Sequence, residues 1–461
     1  MRRRLMRIAP VLLVLAGATT MFVGLSKSPA SGSDGPRQMT FRYGPVRLGA
    51  YQVVRDTAFP KPPGVDGFIT HMSARVVDAA GAPIPVRRVM LHHVLFSNEG
   101  GPAPGDRIDG ACPDIPRERF FGRGEEGRRL DLPDGYGYPI SAGDRWRMNW
   151  MLMNHTYDVE TAYIEYTVTV DDRADLQPVT PFWLDVANCR GGSIFSVPGS
   201  RRPGAEYDRS VDWTVPFDGR IVEAGAHLHG GAFGMTLRQP SCGNRDLLTS
   251  RSLYGMPDDP VYRVLPVLHE PGPIATSTFR SATGIPVAKG ETLQAVGQYD
   301  GERIHPAVMA MLHVYLARGP APPDRCAPLP ADATNTLPAV EGRPDPPAWR
   351  VPLTGLDSRG RAREIDGPPG RLLRLNGGAT ITVSRFRFGA TQLSVPAGTT
   401  LRWSFPDKET HNVTLADGPL GFASLNLGRG QRFSQRLTRP GVYRLFCSLH
   451  PVQMQEVVRV R

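Results

Sequence analysis

Four side chains near the end of the chain carry the donors that a soft metal ion prefers: His411, Cys447, His450 and Met454. Two residues separate Cys447 from His450, and three separate His450 from Met454. One thiolate, two imidazoles and a thioether suit a trigonal copper with a weak axial sulfur, a centre built for one-electron transfer. A structural zinc site would more often close with Cys and His alone. Nine further histidines precede residue 318. His92 and His93 adjoin, His155 closes the run Trp150-Met151-Leu152-Met153-Asn154, and His227 and His229 are spaced by one residue. On a strand, His227 and His229 present both rings to one face and can meet one metal. His92 and His93 would face opposite sides of a regular strand, so a shared metal there requires a bulge or a strand end. Met309, Met311 and His313 share one strand parity, and a thioether from Met309 or Met311 would favour Cu(I). His305 and His313 are further candidate ligands. His71 and His269 have no partner at ligand spacing and read as ordinary residues.

These donors need rigid strands to hold them. Thr380-Ile381-Thr382-Val383, Gln392-Leu393-Ser394-Val395 and Thr400-Leu401-Arg402-Trp403 alternate apolar and polar residues, as half-buried strands do, and Pro396-Ala397-Gly398 and Pro440-Gly441 punctuate them. From Phe41 to about Arg318 the chain shows short alternating segments between Gly and Pro and no sustained helical period, which predicts β-sandwiches. The expected fold class is therefore all-β: two jelly-roll-like β-sandwiches over 41–190 and 191–318, then a tethered Greek-key β-sandwich over 371–461. Twelve prolines between Pro320 and Pro369 predict an extended linker over 319–370.

Half of the net charge of +10 sits in the first 30 residues, on Arg2, Arg3, Arg4, Arg7 and Lys27. No basic stripe with interleaved aromatics follows, so no nucleic-acid partner is expected. The basic start, an apolar run from Ile8 to Leu25 and Ser28-Pro29-Ala30 predict a signal peptide over 1–30, or an uncleaved segment anchoring the chain to a membrane. Arg2-Arg3-Arg4-Leu5-Met6 resembles a twin-arginine signal. Either reading puts the remainder outside the cytoplasm: periplasmic, extracellular or attached to the cell envelope. Setting Cys447 aside for copper leaves Cys112, Cys189, Cys242 and Cys326, an even number in an oxidising compartment; Cys189–Cys242 is the pairing favoured.

The C-terminal motif resembles the plastocyanin-like cupredoxins, with spacing closest to the amicyanin type. By that resemblance Asn412 hydrogen-bonds toward the Cys447 loop, and His450 is the ligand nearest solvent. The upstream pattern, an adjacent His pair, a lone His after an apolar strand, then His-x-His and a later Met, resembles the ascorbate-dependent type II copper monooxygenases. Peptidylglycine and dopamine hydroxylases belong to that group. The region also resembles the stress-upregulated nodulin-type proteins. The first likeness implies one copper on His92, His93 and His155, and another on His227, His229 and Met309, where oxygen binds. Met311 is an alternative to Met309. The whole then reads as an exported copper redox protein: a type 1 copper domain with up to two further coppers, activating oxygen to hydroxylate a C–H bond. Its partners would be a redox protein or small reductant and a small-molecule or peptide substrate. The alternative is a non-enzymatic electron carrier whose sandwiches dock partners or hold copper.

Overall fold

The alternation visible in the sequence becomes burial at every second position. In strand Glu160–Asp171, Ala162, Ile164, Tyr166, Val168 and Val170 all lie in the core, because successive side chains of a strand point to opposite faces. The computed structural model describes residues 35–99, 118–189 and 192–461, and among them it contains strands, turns and two single-turn 3-10 helices but no α-helix. The segment expected to be a leader or anchor, and Cys112, lie outside these residues. No helix among the described residues is long and apolar enough to cross a membrane.

The first lobe packs strands Arg37–Leu48, Glu160–Asp171, Gly67–Val77 and Tyr136–Ile140 against a four-stranded sheet of Val53–Ala58, Trp146–Asn154, Val89–Asn98 and Glu118–Arg123. The second lobe packs Gln177–Asp185, Ala310–Arg318, Gly219–Leu228 and Thr278–Val287 against a five-stranded sheet. A short parallel pairing of Tyr136–Ile140 with Gln177–Asp185 makes the large sheets of both lobes continuous. The C-terminal domain is a sandwich of a five-stranded and a four-stranded sheet, the fold that its resemblance to the cupredoxins implies.

Two expectations change. Strand Gln177–Asp185 pairs along its length with Ala310–Arg318 and contributes Phe182 and Leu184 to the second core. The break between lobes therefore falls before this strand, not at residue 190, since its apolar run is a central strand rather than the end of the first lobe. The stretch 319–370 is not a free tether. Thr334–Thr336 pairs with Thr278–Val287, and Leu353–Leu356 forms a hairpin with Ala362–Ile365. Val351 and Leu353 are buried with Phe446 and Val457 of the cupredoxin. Proline is excluded only from interior ladder positions, so short pairings between prolines turn the segment into a packed strap. A disulfide joins Cys242 to Cys326 at the start of this strap, so Cys242 does not pair with Cys189, which is itself disulfide-bonded.

The cupredoxin sits on the first lobe through an apolar seam. Met90, Met151, Met153 and Leu268 belong to the same buried cluster as Leu449, Cys447 and Met454. Between the lobes, the Arg128 guanidinium donates to both carboxylate oxygens of Glu223 at 2.8 and 2.9 Å, with both side chains almost fully buried. This pair ties the residues after Glu118–Arg123 to the strand that ends at His227 and Leu228.

Candidate metal centre

In the cupredoxin, His411 is held by a reciprocal backbone bridge to Leu427 at 2.9 and 2.7 Å. Cys447 follows strand Gly441–Phe446, and a turn brings His450 and Met454 back toward it: the Met454 N–H donates to the His450 carbonyl, and the Cys447 N–H to the Met454 carbonyl, each at 3.0 Å. The result places His411 Nδ1 3.2 Å from His450 Nδ1, and Cys447 Sγ 3.6 Å from His450 Nδ1. His411, Cys447 and Met454 are fully buried; His450 is half-buried, with the exposed Phe386 ring 4.8 Å away. Burial pushes the Cys447 thiol up to about 11, and burial together with His411 pushes the His450 imidazole down to about 4. Neutral donors converging in a dry pocket have their lone pairs free for a cation, and a bound cation deprotonates the thiol outright. Asn412 locks the two loops. It donates to Ser448 Oγ and Asn426 Oδ1, and accepts the Ser448 N–H, all at 2.8 Å, while its own N–H donates to Cys447 Sγ at 3.3 Å.

A second convergence lies between the two lobes. Strand Val89–Asn98 shifts register against Trp146–Asn154 between Leu91 and His93. This is the bulge that an adjacent His pair requires, and His92 and His93 both line one cavity. Ligand atoms of His92, His229 and His269 lie within 4.8 Å of one another. His92 Nε2 is 2.8 Å from His269 Nε2, and His92 Nδ1 is 2.8 Å from His93 Nδ1. The His227 ring centroid is 5.2 Å from that of His229. Acceptors fix the tautomers. His229 donates Nδ1–H to the Ala307 carbonyl at 3.1 Å, and His269 to the Glu270 carbonyl at 2.7 Å. His227 Nδ1 meets Glu126 Oε2 at 3.0 Å. His229 Nε2 is buried with no hydrogen-bond partner, while His269 Nε2, beside His92 Nε2, also lies 3.3 Å from Glu125 Oε1. One nitrogen anchored and the other free is how metal-binding imidazoles are oriented. Burial and the neighbouring imidazoles hold His92 and His229 well below the usual range. Burial and His227 bring His93 to about 4. Burial would also lower His227 and His269, but the carboxylates of Glu126 and Glu125 outweigh it and raise both.

The predicted ligand sets are thus regrouped. The structure brings His92 and His93 together with His227 and His229 in one cluster rather than dividing them between two. His269, read from the sequence as ordinary, sits at its centre. No spacing marks His269; the following Glu270, which clamps His305 at 2.6 Å, is the only local hint. His155 stands apart, its Nδ1 donating to the Pro266 carbonyl at 2.8 Å. Met309 and Met311 both line the cavity, Met311 directly across the strand pair from His227. The Met309 carbonyl also accepts the His229 N–H at 3.2 Å and the Tyr299 hydroxyl at 2.6 Å. His305 is engaged by Glu270 and Asp300. His313 is buried on the cavity wall, its ring 3.9 Å from that of Trp183. His71 pairs with Asp131 at a half-exposed site. Gly124 leaves room for the cluster: a Cβ there would lie 2.4 Å from His227 Cε1.

The cavity measures about 590 Å³ and runs from the histidine cluster to the loops flanking the cupredoxin ligands. His92, His93, His227, His229 and His269 form part of its wall; Asn412, Ser448 and Leu449, neighbours of the cupredoxin ligands, form another.

Residues 377–461 match the family of copper binding proteins of plastocyanin/azurin type. The chain is 26% identical over 319 residues to a Phoma protein named probable copper-dependent oxygenase M1, covering 64% of this chain and 76% of that one. It is 28% identical over 249 residues to the probable copper-dependent oxygenase clz3 of Cochliobolus lunatus, covering 50% and 73%. Among solved structures, a reduced amicyanin variant aligns at 27% identity over 18% of this chain and 83% of its own, with a TM-score of 0.17. A Cu(I) amicyanin variant aligns at 27% identity over 19% and 85%, also with a TM-score of 0.17. The C-terminal domain is a copper-binding cupredoxin, and the chain is homologous to proteins named as copper-dependent oxygenases.

Two outcomes follow from these contacts. Glu126→Ala removes the acceptor that orients His227 and is expected to lower the affinity of this candidate site for copper by about 10–100-fold, measured by competition with a chelator. For His305, burial alone would lower the imidazole, but Glu270 and Asp300 raise it from 6.5 to about 9. A raised folded-state pKa stabilises fully below the unfolded value, so this contribution is complete below pH 6.5 and fades as pH climbs through about 9. Urea unfolding of the metal-free protein across that window reads the loss, and His305→Gln flattens it.

Proposed function

We propose that this chain is a copper oxygenase that carries its own electron donor. The observation that supports this reading most is the shared cavity: a buried, oriented group of histidines and the ligand loop of a cupredoxin open onto the same space. His411, Cys447, His450 and Met454 would hold a type 1 copper. His92, His229 and His269, with His93 and His227 beside them, would hold copper at the cavity. Bound copper supplies one-electron redox chemistry and, at an open histidine site, a place for dioxygen.

The protein's own residues do the rest. Glu126 and the Ala307 and Glu270 carbonyls hold the imidazoles with Nε2 inward. Met151 lies directly opposite His93 across the strand pair and is buried in the same cluster as Cys447 and Leu449. It thus bridges the two centres through packed side chains. The cavity is of the size that encloses a small organic substrate. Its wall is apolar at Met151, Leu268, Met309, Met311 and Leu449 and polar at Asn149, Asn426 and Ser448. Such a lining offers apolar contact to a C–H bond and polar groups to orient the rest of the molecule. An outside reductant, protein or small molecule, would deliver electrons at the half-buried His450 beside Phe386. Export is supported by the basic, apolar N-terminal stretch and by the Cys242–Cys326 disulfide.

The copper-loaded full chain is expected to bind more than one copper, one giving an intense blue band, and to consume oxygen when reductant and substrate are supplied. His229→Ala abolishes oxygen consumption and keeps the blue band. Cys447→Ser loses the band, keeps copper at the histidines and slows turnover. One copper per chain, or oxygen consumption indifferent to His229→Ala, would leave only an electron carrier.

A further inference from the structure

We propose that the irregular segment 264–270 is a conditional ligand arm, and that the docked cupredoxin is what sets His269 beside His92 and His229. This rests on the reading that the histidine cluster binds copper. His269 lies on no strand, so a sheet ladder does not fix it as one fixes His92 and His227. Side chains fix it instead. Val264 and Val267 are buried in one cluster with Val351 and Leu353 of the strap and Ala416, Phe446 and Val457 of the cupredoxin. Leu268 is buried in the cluster that holds Leu449, Cys447 and Met454. Phe446 immediately precedes the ligand Cys447, and Leu268 immediately precedes His269. On the other side the arm meets the lobes through polar contacts: the Pro266 carbonyl accepts from His155, and Glu270 pairs with His305.

The apolar grip on Val264 and Val267 comes from the cupredoxin and its strap, and that on Leu268 is shared between the cupredoxin and Met90, Met151 and Met153 of the first lobe. Undocked, the arm would expose Val264 and Val267 to water and strip Leu268 of its cupredoxin neighbours, and a segment with few buried contacts and no ladder opens at little cost. His269 would then leave His92 and His229. The histidine site is thus complete only while the electron donor is seated, which keeps it from reacting with oxygen when no electron can follow. Linkage makes the coupling reciprocal: metal at His92, His229 and His269 strengthens docking.

The test titrates the full-length chain with copper, following the blue band for the cupredoxin and electron paramagnetic resonance for the histidine site. Ala416→Asp places a carboxylate in the apolar contact from the cupredoxin side. Val267→Ser weakens the contact from the arm, and Val267→Ile preserves it. Ala416→Asp and Val267→Ser are expected to keep the blue band and to bind copper at the histidines about 10–100-fold more weakly, the range for lost support around a ligand. That loss should match His269→Ala, with Val267→Ile close to wild type. Should Ala416→Asp lose its blue band through misfolding, Val267→Ser decides between the outcomes. Full copper retention in His92→Ala overturns the copper reading and this inference together. Loss in His92→Ala with full retention in Val267→Ser overturns this inference alone.

Discussion

A buried imidazole has two nitrogens, and the protein must find a partner for each or leave one waiting. Around the central cavity three rings have Nδ1 held by a protein acceptor, while Nε2 of His229 has no partner and Nε2 of His269 meets His92 and Glu125. His229 leans on the Ala307 carbonyl, His269 on the Glu270 carbonyl and His227 on the Glu126 carboxylate. An unpartnered buried nitrogen costs on the order of 1–3 kcal/mol, so the lone Nε2 of His229, close to the ligand atoms of His92 and His269, marks a place prepared for a ligand. The surrounding scaffold serves that geometry: the bulge at Leu91–His93 turns both rings inward, and Gly124 leaves the His227 ring its space.

The same cavity explains why the C-terminal domain is packed rather than tethered. Its ligands are drawn to the first lobe by an apolar seam of methionines, side chains that fill irregular gaps well. The strap is fastened by the Cys242–Cys326 disulfide and by its own short pairings. An electron donor held this way would need no diffusional encounter. Its ligand loop lies a few packed residues from the histidines, and Asn412 holds that loop still. On the proposed reading the cupredoxin would be at once an electron source and a wall of the site it serves.

Much of this was legible in the residues. Alternation fixed the strands, as the burial of Ala162 through Val170 shows, and the Cys447, His450 and Met454 spacing pointed to the loop that brings them together. His92, His93, His227 and His229 were recognisable by adjacency and by the i, i+2 rule. His269 was not, because it reaches the site from an irregular segment whose position depends on contacts with residues some 80 to 190 positions away. Proline density misled for a related reason: composition reports what a backbone forbids, not what its side chains bury, and Val351 and Leu353 were enough to seat the strap. The lobe boundary failed because strand Gln177–Asp185 looks the same whichever sheet receives it. Its partner, Ala310–Arg318, lies far along the chain.

On the proposed reading both centres would work within one molecule through a short packed path. Pulse reduction of the copper-loaded full chain, with the blue absorption followed in time, tests it most directly. Electrons should enter the cupredoxin and then leave it in a first-order phase whose rate is unchanged over a wide range of protein concentration, and which disappears in His92→Ala. A rate that rises in proportion to protein concentration, or a blue band that never recovers without an added partner, would contradict it.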